Sequence, residues 1–188
     1  KNPVNKLVAD SCGISVGTSH CEPLLRNNVD EWDVSKRGPF NYITNRQAVQ
    51  EYWIERLREV KGSEGGNMFT IGMRGIHDGS MEGVKTKEEK FAALQQVIDD
   101  QQQLLADYIG APNKQMQVFV PYKEVLQLYD MGLKVPAAAT LMWCDDNYGY
   151  ITRLSTDEEQ KRPGGGGVYY HLSYWGRPHD YLWLTTTQ

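Results

Sequence analysis

Arg74 and Asp78 share the stretch Gly72-Met-Arg-Gly-Ile-His-Asp78. Arginine offers a planar fork that grips a carboxylate in two parallel hydrogen bonds, and an aspartate beside it can serve as acid, base or nucleophile. An internal Arg74–Asp78 ion pair is the plainer expectation. A second carboxylate, Glu124, stands in Tyr122-Lys-Glu124 where a helix is due to open. There it either complements the helix dipole or, against Tyr122 and Trp143, has its pKa raised into the range of a general acid.

Three further clusters add polar groups. In Thr18-Ser-His-Cys-Glu-Pro23, His20 and Glu22 are candidates for binding a substrate hydroxyl or moving a proton, against a loop that caps its own backbone. In Cys144-Asp-Asp-Asn147, Asp145 and Asp146 leave an apolar run and need partners, because unpaired carboxylates are costly to bury. A divalent cation is one such partner and a substrate another. In Tyr169-Tyr-His-Leu-Ser-Tyr-Trp-Gly-Arg-Pro178, strand alternation puts Tyr169, His171 and Ser173 on one face and Tyr170, Leu172 and Tyr174 on the other. Aromatic faces with polar tips suit sugar rings, and equally suit a core. Paired carboxylates beside such surfaces suggest glycosidic bond hydrolysis. The arginine among them suggests a sugar that carries an acid group. Gly164 to Gly167 is no phosphate loop, since no Lys-Ser/Thr follows and the chain enters a strand.

These clusters need elements to hold them. Apolar runs at Ile14–Gly17, Met68–Met73, Gln117–Val120, Thr140–Cys144 and Val168–Trp175 read as strands, and Tyr181–Leu184 as a sixth strand or a helix start. Between them, Thr44–Val60 reads as a helix with capping-box spacing at Thr44 and Gln47 and an apolar face of Val49, Trp53, Leu57 and Val60. Lys87–Ile109 reads as a longer one, boxed by Thr86 and Glu89, striped by Phe91, Leu94, Ile98, Leu105 and Tyr108, and stopped by Gly110 and Pro112. Pro121 suits the first turn of a third helix running to Met131. Strands alternating with helices imply a parallel sheet. A doubly wound sheet would gather its polar groups at one switch point, whereas here nearly every strand is followed by a polar cluster, as at the rim of a barrel. The expected fold is therefore α/β, a partial (β/α)8 barrel holding five or six of eight units, in a single domain over residues 1–188.

Composition narrows the function classes. A net charge of −4 with scattered basic residues gives no nucleic-acid footprint. No apolar run approaches the roughly 18–20 residues of a membrane helix. Cys12, Cys21 and Cys144 form no CxxC pair, so neither a zinc ribbon nor a disulfide framework is expected, and free thiols are preferred to a Cys12–Cys21 bridge. A first residue of Lys and an end on Thr-Thr-Thr-Gln suggest part of a longer protein.

Five motifs occur in order: Gly17-Thr-Ser-His-Cys-Glu-Pro23, Ile71-Gly-Met-Arg-Gly with Asp78, Tyr122-Lys-Glu-Val125, Trp143-Cys-Asp-Asp-Asn-Tyr-Gly149, and Val168-Tyr-Tyr-His-Leu-Ser-Tyr-Trp-Gly176. In these the chain resembles the central barrel domain of glycoside hydrolase family 115, the xylan α-1,2-glucuronidases. The resemblance implies release of glucuronic acid or its 4-O-methyl ether from glucuronoxylan side chains, with inversion. It implies a large multidomain parent, periplasmic or extracellular and homodimeric, with no cofactor and no metal. It makes Asp78 and Glu124 the candidate acid and base. Arg74, Asn147, His171 and Tyr174 match substrate-pocket positions, as do His20, Glu22, Asp145 and Asp146. Many relatives carry an acidic residue and a glycine where this chain has Ile76-His77, which leaves Asp78 in register but changes its electrostatic neighbours. The competing readings are a metal-dependent barrel hydrolase using His20, Asp78, Asp145 and His171, and a non-catalytic carbohydrate-binding domain. The chain by itself is expected to be inactive.

Overall fold

A computed structural model describes residues 4–63, 65–146 and 150–171. In chain order the elements are α1 (Val4–Ser11), β1 (Val16–Gly17), a 3-10 turn (Pro23–Leu25), α2 (Asn28–Glu31), α3 (Val34–Arg37), α4 (Arg46–Val60), β2 (Asn67–Ile71), α5 (Lys87–Tyr108), a second 3-10 turn (Pro112–Lys114), β3 (Met116–Phe119), α6 (Glu124–Asp130), β4 (Ala139–Cys144), α7 (Asp157–Gln160) and β5 (Gly166–Tyr169). The strands form one sheet in the order β1-β2-β3-β4-β5. Every neighbouring pair is parallel. A doubly wound sheet reverses its strand order at a switch point; this one runs in sequence order from edge to edge, and its five strands curl into a half-barrel of the α/β class.

One face of the curl is covered. Phe69, Ile71, Phe119, Leu141 and Trp143 are buried in a single core with Val49, Trp53 and Leu57 of α4 and Leu94, Val97, Ile98 and Leu105 of α5. The apolar stripes that define both helices in the sequence are thus the surfaces they lay on the sheet. On the concave face Met68, Val118, Met142 and Val168 line a hollow of about 160 Å³.

Of the three helix starts expected from the sequence, one forms as expected and two do not. At α5 the capping box forms as expected. Thr86 accepts from the Glu89 N–H at 3.1 Å, and the Glu89 carboxylate accepts from the Thr86 N–H at 3.1 Å. At α4 no box forms at Thr44. The Thr44 N–H donates to Asn41 Oδ1 at 3.1 Å, and the helix starts at Arg46. The Gln47 side chain reaches forward to Glu51 instead of back. The third helix begins at Glu124, not at Pro121. Lys123 has φ 52° and ψ −123°, outside the helical region, so no helix can run through it.

β5 starts at Gly166, two residues before the expected Val168, and Tyr170 and His171 lie beyond its end at Tyr169; the rest of the expected run to Trp175, and Tyr181–Leu184, lie outside the described residues. The short helices α1, α2, α3 and α7 are additional to the elements expected from the sequence. Among the described residues no helix is long and apolar enough to cross a membrane. Cys12, Cys21 and Cys144 are all free thiols.

Candidate active site

The loops that leave the C-terminal ends of β2 and β3 meet at one guanidinium, and the loop after β1 reaches the same cluster through His20. Arg74, three residues beyond β2, is buried and donates through Nε to Glu124 Oε1 at 3.0 Å and through Nη2 to Glu124 Oε2 at 2.9 Å. Its Nη1 donates to Asp78 Oδ1. The fork is therefore filled from within the protein, by both carboxylates expected to act as acid and base. The internal ion pair and the two-bond carboxylate grip are both present, and the carboxylate in the grip is Glu124.

Asp78 has two further partners. His20 Nε2 lies 3.0 Å from its Oδ1 and Lys123 Nζ 2.5 Å from its Oδ2. Burial pushes the Asp78 carboxyl up. The hydrogen bonds from His20 and Lys123, with the charges of Arg74 and Lys123, outweigh that and hold it well below the usual carboxylate range. An ionised Asp78 can only accept, so His20 Nε2 must carry the proton. Burial, aided by the charges of Arg74 and Lys123 and opposed by Asp78, lowers the His20 pKa. The imidazole is then neutral, and its Nδ1 is a buried acceptor without a hydrogen-bond partner among the described residues.

Lys123 belongs to this network and was passed over in the sequence reading. The available signal was its place inside the Tyr122-Lys-Glu-Val125 motif, beside Glu124. Its left-handed backbone lets Lys123 reach Asp78 while Glu124 reaches Arg74. A β-carbon disfavours that conformation, so the surrounding contacts must hold it.

A second pair lies at the ends of β4 and β5. Asp145 is buried and accepts from the His171 N–H at 3.2 Å and from His171 Nδ1 at 2.5 Å. Two tyrosines join the pairs. Tyr122 lies 4.5 Å from His20 and 6.2 Å from His171, ring centre to ring centre, and Tyr169 lies 5.9 Å and 4.8 Å from the same two rings. An aromatic floor thus runs from one histidine to the other. Beside it, a cleft of about 390 Å³ opens between Tyr122, Lys123 and Leu126 on one side and Asp145, Asp146 and Thr152 on the other.

Other nominated residues fall differently. Glu22 is buried in the loop after β1 and accepts from Ser19 Oγ at 3.3 Å. Asp146 closes its own loop, accepting from the Tyr150 N–H at 3.0 Å. Asn147 and Tyr174 lie outside the described residues. Cys144 adjoins Asp145, and burial, then the Asp145 charge, pushes its thiol up to about 12, so it stays protonated. Among the described residues no three His, Cys, Asp or Glu side chains converge as cation ligands.

The model of Glycosyl hydrolase family 115 matches residues 1–188. The chain belongs to this family. Among solved structures it is similar to a family GH115 4-O-methyl-α-glucuronidase, BtGH115A, with specificity for decorated arabinogalactans; the two share 50% sequence identity with a TM-score of 0.90. The match covers 100% of this chain and 24% of the other, so the chain spans about a quarter of that enzyme's length. No curated protein matches.

Proposed function

We propose that the whole protein is an exo-acting α-glucuronidase that releases glucuronic acid, or its 4-O-methyl ether, from α-1,2-linked side chains of xylan with inversion. The observation that carries this reading is the common attachment of Asp78 and Glu124 to Arg74 at the C-terminal rim. Asp78, kept ionised by its three cationic and hydrogen-bonding neighbours, suits the partner that activates water. Glu124 is then the partner that protonates the leaving oxygen. An inverting pair leaves about 6.5–9.5 Å between its carboxyls for the attacking water. The aromatic floor of Tyr122 and Tyr169 suits the apolar face of a sugar ring, with His20, His171 and Asp145 beside it for hydroxyls. Asn147 and Tyr174 are proposed to complete the pocket, and Glu22 and Asp146 to support its loops.

On this reading the 188 residues form one incomplete catalytic barrel segment, without turnover by themselves, in a homodimeric parent of the periplasm or the extracellular space. No cofactor takes part in the proposed steps. A second substrate reading has its own support. The 50% identical enzyme is described as specific for decorated arabinogalactans, so glucuronic acid capping such chains is the alternative to xylan.

The test incubates the whole protein with glucuronoxylan and, separately, with an arabinogalactan carrying terminal glucuronic acid. Proton NMR then follows the released sugar. Free uronic acid appearing first as the β-anomer supports the reaction, and the polymer that yields it decides the substrate. First release of the α-anomer overturns inversion, and release from neither polymer overturns the uronosidase reading.

A further inference from the structure

The apolar stripe of α5 has one polar interruption. Leu94, Ile98 and Leu105 fall at helical spacing on its buried face, and between Ile98 and Leu105 the same face carries Gln101, with no exposed surface. A glutamine brings an amide into this core at a cost unless both ends of the amide are bonded. Both are. Gln101 Oε1 accepts from the Gly72 N–H at 2.7 Å, and Gln101 Nε2 donates to the Gly72 carbonyl at 3.0 Å.

Gly72 is the first residue past the end of β2, whose pairing with β3 stops at Ile71 and Phe119. Its N–H and C=O have left the ladder inside the core and need other partners. Gly72 has φ 89°, and a β-carbon there would lie 3.2 Å from the Phe119 ring, so the chain turns here on a residue without a side chain. Two residues later stands Arg74, and six later Asp78.

We infer that Gln101 is a positioning residue: by bonding both peptide groups of Gly72 it fixes the point and direction at which the loop carrying Arg74 and Asp78 leaves the sheet. The loop's far end is held in a similar manner. Asn28 is buried, donates to the Cys21 carbonyl at 2.9 Å, and has its Oδ1 3.4 Å from the His77 N–H. Gln101 is the stronger anchor, because its bonds are shorter and paired on one residue.

The inference rests on the proposed role of Asp78 and is tested in the whole protein. Gln101→Glu keeps the shape. Protonated, its carboxyl can accept from the Gly72 N–H and donate to the carbonyl; ionised, it can only accept, and its charge is buried. Burial raises a carboxyl's pKa, so the protonated form is present at acid pH and is lost as pH rises. The ratio of Gln101→Glu to wild-type kcat/KM for uronic acid release, measured at a temperature where both are folded by circular dichroism, is expected to fall at least about tenfold from pH 5 to pH 8. Gln101→Leu, which cannot bond either group, is expected to lose at least about tenfold at every pH in that range. A flat ratio for Gln101→Glu overturns the inference, as does a folded Gln101→Leu within about twofold of wild type. If Gln101→Leu does not fold, the Gln101→Glu ratio alone decides. Asp78→Asn, assayed beside them, separates the two failures. An active Asp78→Asn removes the proposed mechanism, whereas an inactive one with a flat Gln101→Glu ratio removes only the role given to Gln101.

Discussion

Arg74 and Glu124, 50 residues apart in the chain, meet in two parallel hydrogen bonds of 3.0 and 2.9 Å. Charge-assisted, paired bonds of this kind fix direction as well as distance. The guanidinium that holds Glu124 also holds Asp78, so the relative placement of the two carboxylates depends on one side chain.

Asp78→Asn and Glu124→Gln each keep shape while removing the titrating group. In the whole protein each is expected to lower kcat for glucuronic acid release by on the order of 10²–10⁴-fold, the usual contribution of a general acid or base. A kcat within tenfold of wild type for either variant would take that residue out of the mechanism.

Arg74→Lys keeps the charge but cannot make two parallel bonds to Glu124 and a third to Asp78. Losing a hydrogen bond to a charged group costs about 1.5–3 kcal/mol, so kcat/KM is expected to drop roughly 10- to 100-fold. Steady-state kinetics on the same polymer checks this, and unchanged kinetics would mean that the carboxylates are held by something else.

Stability should depend on acidity through Asp78. Its folded pKa is depressed, so its contribution is fully present above the unfolded value of about 3.9 and is lost as pH falls through the folded value. His20 adds a component with its own window. Its folded pKa is lowered, so the unfolded chain takes up a proton first and stability declines as pH drops below about 6.5. Melting curves recorded from about pH 7 downward should show a shallower decline for His20→Gln in the upper range and for Asp78→Asn below about pH 4. Slopes identical to wild type would contradict these assignments.

Thr86→Ala removes the cap of α5, whose bonds run between Thr86 and Glu89. It is expected to cost about 1 kcal/mol and lower the melting temperature by roughly 2–4 °C, while leaving uronic acid release at wild-type rate under folded conditions. A loss of activity at a temperature where the variant is folded would tie this helix end to the site.

Much of the architecture is carried by short-range pattern. The box at Thr86 and Glu89 and the stop at Gly110 are set by interactions within a few residues, and the helix stripes and four of the five strands leave a record in local periodicity. The motifs likewise name Asp78, Glu124, Arg74 and His20 as chemically capable side chains. What needed the folded chain were pairings across the sheet. Only the parallel order of β1, β2 and β3 brings residues 20, 78 and 123–124 together. That order fills the Arg74 fork with Glu124, recruits Lys123, and gives Gln101 a backbone partner in an otherwise apolar stripe. It also accounts for one misplaced boundary, since the Lys123 backbone that lets its amine reach Asp78 delays the helix to Glu124. A sequence pattern reports which face a residue takes on its own element; which distant residue meets it there depends on how the elements are laid side by side.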